Sequence, residues 1–180
     1  MESDVTFRTM GRHELPRVAE IDRHERIEVM YEQRGTRLIE RHGHWVAASW
    51  DPDGTGEHSV TAKVREAEQY VDGGGLVVGA FADDRLVGIG IVLTHVRPQI
   101  AHLAFLHVSA PFRKTGVGSR LSDQLDQIAR ELGATEMVVS ATPSENAVRF
   151  YLARGFDPTE HPLVELLQLE PDDIHMHKAL

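Results

Sequence analysis

The chain has 180 residues, 41% of them hydrophobic and 26% charged, a composition that suits one folding unit and excludes a wholly disordered, collagen-like or membrane-spanning protein. Its formal net charge of −9 argues against generic affinity for phosphate backbones, so no nucleic-acid partner is expected and a cationic or neutral small partner fits better. The absence of cysteine removes disulfide frameworks, thiolate metal sites, iron–sulfur clusters and cysteine nucleophiles, and with no bilayer-length apolar run and no hydrophobic signal segment in residues 1–11 the expectation is a cytoplasmic protein without a membrane partner.

Val5, Phe7 and Thr9 alternate as a short strand, and Leu15, Val18 and Ile21 follow at helical spacing with Pro16 tolerable in a first turn. Residues 27–41 read as a hairpin around Arg34-Gly35-Thr36, with a helix of similar length as the alternative. Residues 42–58 carry Trp45, Trp50 and the turn sequence Asp51-Pro52-Asp53-Gly54, which predicts a long loop of the kind that binds ligands. Val60, Val64, Ala67 and Val71 trace a helix face that Gly73-Gly74-Gly75 stops.

Apolar strands are then expected at 76–81 and 86–95, antiparallel across a compact turn, and a third at 102–108. Val117, Leu121, Leu125, Ile128 and Leu132 form a strongly periodic helix that Gly133 ends. A short buried strand follows at 137–140. Thr142-Pro143-Ser144-Glu145 reads as a capping box with proline at the first helical position, opening a helix that runs to Arg154. Strands at 163–169 and 174–179 close the chain. This mixed order predicts an α/β or α+β protein whose sheet is covered on both faces.

Chemistry concentrates in two places. The first is the junction Val108-Ser109-Ala110-Pro111-Phe112-Arg113-Lys114-Thr115-Gly116-Val117-Gly118-Ser119, a strand, a turn and a helix start with two glycines. Unpaired N–H groups of a first helical turn and the positive end of its dipole make such a junction an anion site, and Arg113 and Lys114 add charge. Dinucleotide and nucleoside-triphosphate loops do not fit: Gly88-Ile89-Gly90 lies inside an apolar strand without a third glycine, and no G-x-x-x-x-G-K-[ST] occurs. The second place is Asn146-Ala147-Val148-Arg149-Phe150-Tyr151-Leu152-Ala153-Arg154-Gly155-Phe156.

Arg113-x-x-Gly116-x-Gly118 directly after Leu106-His107-Val108 resembles the acetyl-CoA pyrophosphate loop of the GNAT superfamily of N-acetyltransferases. The Asn146-to-Phe156 segment resembles that superfamily's second signature. The resemblance covers roughly residues 76–180 and implies one N-acetyltransferase domain over residues 1–180. Its mixed, mostly antiparallel central sheet would be flanked by helices on both faces, with residues 27–58 as a variable hairpin and loop near the acceptor site.

It also implies splayed strands at 102–108 and 137–140. The backbone of His107 and Val108 would hold the pantetheine amides and thioester oxygen, and the amides of Lys114, Thr115, Gly116, Val117, Gly118 and Ser119 the pyrophosphate. Asn146 would bind the arm from the other side. The activity implied is transfer from acetyl-CoA to a primary amine of a small molecule by direct attack. A peptide or protein amino group is the alternative acceptor, and a non-catalytic acyl-CoA-binding module the alternative function. Family members are frequently dimers, so a homodimer is within the expectation.

By the same resemblance Tyr151 is general acid to the CoA sulfur, its competing reading being a core aromatic beside Val148 and Leu152. His102 falls where relatives carry a Glu or His base, and the ordinary histidine pKa near neutrality suits that task, although a hydrogen-bonded histidine at a strand start reads equally well. His107 competes only if the strand bulges, because an odd offset reverses the face. The pairs His42-x-His44 and His175-x-His177 lack a third ligand at recognisable spacing, so no metal is expected. Asp22, Glu25 and Glu28, with Trp45 and Trp50, could receive a cationic amine; helix-surface charge and core tryptophans are the default reading.

Overall fold

A computed structural model describes residues 4–180. Strands β1 (Val5–Met10), β4 (Leu76–Ala82), β5 (Arg85–Arg97), β6 (Ile100–Val108), β7 (Glu136–Ala141), β8 (Asp157–Pro158) and β9 (Ile174–Ala179) form one sheet in the order β1-β4-β5-β6-β7-β9-β8. Only β6 and β7 run parallel; every other neighbouring pair is antiparallel. β2 (Glu25–Arg34) and β3 (Arg37–Ala47) make a separate hairpin. The helices are α1 (Val60–Asp72), α2 (Val117–Glu131), α3 (Glu145–Ala153) and α4 (Val164–Leu169), with 3-10 turns at Arg12–Glu20 and Ala110–Phe112.

Each sheet face has its own apolar layer. Val117, Leu121, Leu125 and Ala129 of α2 pack with Val78, Ala80, Val87 and Leu103 on one face. Leu15, Val18, Trp50 and Ala67 cover Val77, Ile89, Ile91 and Phe105 on the other. The two glycines of Gly88-Ile89-Gly90 serve this packing: a Cβ on Gly90 would meet Leu125 Cδ1 at 2.6 Å and one on Gly88 would meet Leu121 Cδ1 at 3.0 Å. Their absence lets α2 lie close on the sheet.

Four expectations change. The first helical segment is a 3-10 helix that contains Pro16, and Trp45 lies in β3 rather than in a loop, because the hairpin extends to Ala47. Thr142 and Pro143 stand outside α3, which Ser144 caps; the carbonyl of Pro143 is instead taken by the Tyr31 N–H at 2.7 Å, which holds this stretch extended against β2. Residues 163–169 are a helix, not a strand. Leu163, Leu166 and Glu170 are its half-buried positions, a three- and four-residue spacing masked by the exposed Val164, Leu167 and Leu169.

Candidate active site

β6 and β7 pair only at Ile100↔Glu136, Ala101↔Met137 and His102↔Val138. Beyond His102 the strands separate, so the β6 edge from Leu103 to Val108 has no strand partner on that side. A cleft of about 650 Å³ opens there. Leu106, His107, Val108 and the α2 start form one wall, Ser144, Asn146, Phe150 and Tyr151 the other, and Arg23, Glu25 and Ile27 the hairpin side.

The α2 start has the form expected of an anion site. Gly116 caps it in the left-handed conformation (φ 90°) with no side-chain cap bond, and the first intrahelical bond is Arg120 N–H to Gly116 C=O at 3.0 Å. The N–H groups of Val117, Gly118 and Ser119 therefore have no acceptor within the helix. Gly118 faces the cleft, where a Cβ would lie 3.2 Å from the Phe150 ring. Lys114, also left-handed (φ 62°), stands at the mouth. Thr115 and Val117 do not line the cleft: the Thr115 hydroxyl donates to Phe112 C=O at 2.7 Å, and the Val117 side chain is in the core.

Arg113 lines the cleft, but its guanidinium donates to the carbonyls of Val108 (3.1 Å), His24 (2.9 Å) and Arg23 (2.9 Å). It ties the end of β6 to the segment entering β2, which makes it a clamp on the cleft wall before it is a phosphate ligand. Asn146 Nδ2 donates to Glu25 Oε1 at 2.7 Å across the cleft. The acidic trio is dispersed: Glu25 faces the cleft, Asp22 accepts from the His24 N–H and the Ser49 hydroxyl, and Glu28 is exposed.

A bulge in β6 decides the histidines. Ile91 pairs with Phe105 and Val92 with Leu103, leaving Ala104 as an extra residue. His102 and His107 thus share the α1 face. His107 lies 4.5 Å from the Phe105 ring and 5.0 Å from that of Trp50, and His102 stands edge-on to Tyr70 at 6.2 Å. Burial pulls the His102 pKa down to about 4; burial, with Lys63, Arg23 and Arg113 nearby, pulls His107 to about 3. Both are neutral at physiological pH and too weakly basic to take a proton from an ammonium ion readily. His107 lines the cleft and His102 does not.

Tyr151 meets the cleft from α3, only 7% exposed, its ring edge-on to Phe150 and Phe156. Its hydroxyl has no hydrogen bond among the described residues, and burial, reinforced by Asp173, raises its pKa, so the phenol stays protonated.

Sequence reasoning missed three acidic residues: Asp173, whose charge acts on this phenol, Glu170, which acts on Asp173 from the same turn between α4 and β9, and Glu66 of α1, which acts on Glu170. The nearest signal was the charge-rich Glu170-Pro171-Asp172-Asp173, which reads as an ordinary turn. Burial, then Glu170 and Asp172, push the Asp173 pKa up to about 7. Folding thus disfavours the ionised carboxyl, and the stability present below its ordinary pKa of 3.8 is lost as pH rises through about 7. Asp173→Asn should therefore raise Tm at pH 8 and leave it nearly unchanged at pH 4, read by thermal unfolding at both pH values.

The family model for the acetyltransferase (GNAT) family matches residues 43–156. No curated protein sequence matches the chain at a significant level. Among solved structures, nourseothricin acetyltransferase superposes with a TM-score of 0.72 at 18% identity, covering 97% of this chain and 98% of that one. A candidate streptothricin acetyltransferase from Bacillus anthracis str. Ames, in complex with acetyl coenzyme A, gives 0.72 at 15% identity over 98% and 99%. The PaiA N-acetyltransferase from Thermoplasma acidophilum, in complex with coenzyme A, gives 0.63 at 16% over 98% and 99%. At these identities the likeness establishes a shared fold.

Proposed function

The chain belongs to the acetyltransferase (GNAT) family, and on that premise we propose that it transfers an acetyl group from acetyl-CoA to a primary amine of a small molecule by direct attack. The observation that carries this reading is the cleft itself: it opens where β6 and β7 part, with the unaccepted amides of Val117, Gly118 and Ser119 at one end and the unpartnered Tyr151 hydroxyl in its wall. The structural neighbours with acetyl coenzyme A or coenzyme A bound support the choice of co-substrate.

In this reading the α2 amides hold the pyrophosphate, aided by the helix dipole. The free edge of β6 at His107 and Val108 offers backbone groups to the pantetheine arm, and Asn146 faces it from α3. Acetyl-CoA supplies the activated thioester. The Tyr151 hydroxyl donates to the departing sulfur. With no cysteine in the chain, no thiol is available to carry the acetyl group covalently.

Saturating acetyl-CoA should stabilise the folded protein by about 2.7 kcal/mol at a hundred times Kd, a rise in Tm of roughly 5–10 °C. Gly118→Trp, which places an indole between the α2 start and Phe150, should abolish that rise while leaving the ligand-free Tm close to the parent's. An unchanged shift in this variant would remove the pyrophosphate from α2. A thiol-release assay against a panel of amines then tests transfer, and binding without any release would leave a cofactor-binding module.

A further inference from the structure

Glu25 is held against the cleft by the loop that opens α2. Just before it in the chain, the Asp22 N–H donates to the Ser109 hydroxyl at 2.9 Å and the Asp22 carbonyl accepts from the Ala110 N–H at 2.7 Å. Arg113 takes the next two carbonyls, those of Arg23 and His24, at 2.9 Å each. Residues 22–24 are therefore stapled to 109–113, and β2 begins immediately after them at Glu25.

The other end of the same strand is tied to α3. The Tyr31 N–H donates to the Pro143 carbonyl at 2.7 Å, and Met30 pairs with Ser144, the residue that caps α3. Asn146 stands in the first turn of that helix. The hydrogen bond from Asn146 Nδ2 to Glu25 Oε1, at 2.7 Å, thus joins two side chains whose backbones are already fixed relative to one another.

This bond dictates which way the Asn146 amide faces. A carboxylate only accepts hydrogen bonds, so the end of the amide that meets Glu25 has to be the nitrogen. Turning the group over would set two oxygens against each other. Oδ1 is left at the opposite corner of the planar amide, where it accepts no hydrogen bond among the described residues, and Asn146 lines the cleft. A pantetheine arm carries two secondary amides, each with an N–H that needs an acceptor once it leaves water. The Asn146 carbonyl can supply one.

The charge of Glu25 is already answered. Its Oε2 lies 3.9 Å from the Arg113 guanidinium, and the other carboxylate lining the cleft, Glu145, pairs with Arg149 at 2.8 Å. With one oxygen on Asn146 and the other facing Arg113, Glu25 is placed to orient a neighbour rather than to await an ammonium ion.

We propose that Glu25 is a positioning residue for the cofactor: it holds the Asn146 amide so that Oδ1 receives an N–H of the pantetheine arm. This rests on the acetyltransferase reading above. Glu25 does not touch the arm; it removes rotational freedom that Asn146 would otherwise lose when the cofactor binds.

The test measures, by calorimetry on the full-length protein, the Kd of acetyl-CoA and that of 3′-phosphoadenosine 5′-diphosphate, which keeps the pyrophosphate and lacks the arm. Glu25→Ala should weaken acetyl-CoA binding roughly tenfold, as for the loss of one hydrogen bond, and leave the nucleotide within about twofold of the parent. In an Asn146→Ala background the same substitution should change acetyl-CoA binding by less than about twofold, because the group that Glu25 orients is gone. A packing effect would instead weaken both ligands and persist in that background. If Glu25→Ala does not fold, Glu25→Gln carries the comparison: glutamine can accept from Asn146 or donate to it, so the amide is oriented only part of the time and a loss of about threefold is expected. Unchanged acetyl-CoA affinity, an equal loss for both ligands, or an undiminished loss on top of Asn146→Ala overturns the assignment. The two failures are distinct: a parent protein that does not bind acetyl-CoA sinks the acetyltransferase reading, whereas binding that is indifferent to Glu25 sinks only the positioning role.

Discussion

Replacing Tyr151 by phenylalanine will lower kcat about a hundredfold while leaving the acetyl-CoA thermal shift intact. The expectation follows from what the substitution changes. The ring contacts to Phe150 and Phe156 are kept, so packing and fold survive, and the hydroxyl removed has no hydrogen bond among the described residues. A hydroxyl with a purely structural role would cost stability on removal; this one should cost under about 1 kcal/mol, because no partner is orphaned. Burial lifts its pKa above the ordinary 10, so the donor remains protonated and its ionisation produces no loss of activity between pH 7 and 9. Initial rates of thiol release, with Tm measured alongside, check the result. Unaltered turnover would return Tyr151 to a packing role.

The fold was legible wherever local pattern and tertiary context agree. The α2 stripe, the two apolar strands β4 and β5 and the hairpin glycine at Gly35 all follow from spacing and turn chemistry. Pattern failed at residues 163–169, where exposed leucines hide a helical period, and at Thr142-Pro143, where pairing with the hairpin overrides a capping signal. The candidate site divides the same way. The α2 start is legible because backbone geometry calls for glycine there, whereas Tyr151 is singled out only by the resemblance of the Asn146-to-Phe156 segment to a family signature.

The roles of the charged residues could not be read so. Arg113 looks like a phosphate ligand until three carbonyls claim its donors. His102 looks like a base of ordinary pKa until burial lowers it to about 4. The extra residue at Ala104, which puts His102 and His107 on one face, exists only in the pairing of β5 with β6.

The other large effect is on stability, at Lys178. Its Nζ lies 2.5 Å from Asp126 Oδ2, with the two side chains 7% and 6% exposed, and 4.6 Å from the centre of the Phe156 ring. The pair joins α2, whose first turn lines the cleft, to β9. Lys178→Met keeps the aliphatic stem but strands the Asp126 carboxylate, whose Oδ1 already lacks a hydrogen bond among the described residues. The expected cost is about 3–5 kcal/mol, read as a lower urea midpoint at constant m. Adding Asp126→Leu should recover most of it, since the double variant has no buried charge to desolvate, and the coupling between the two positions should exceed about 1 kcal/mol. A Lys178→Met cost below about 1 kcal/mol would mean that water reaches Asp126 and that α2 is held to the sheet by its apolar stripe alone.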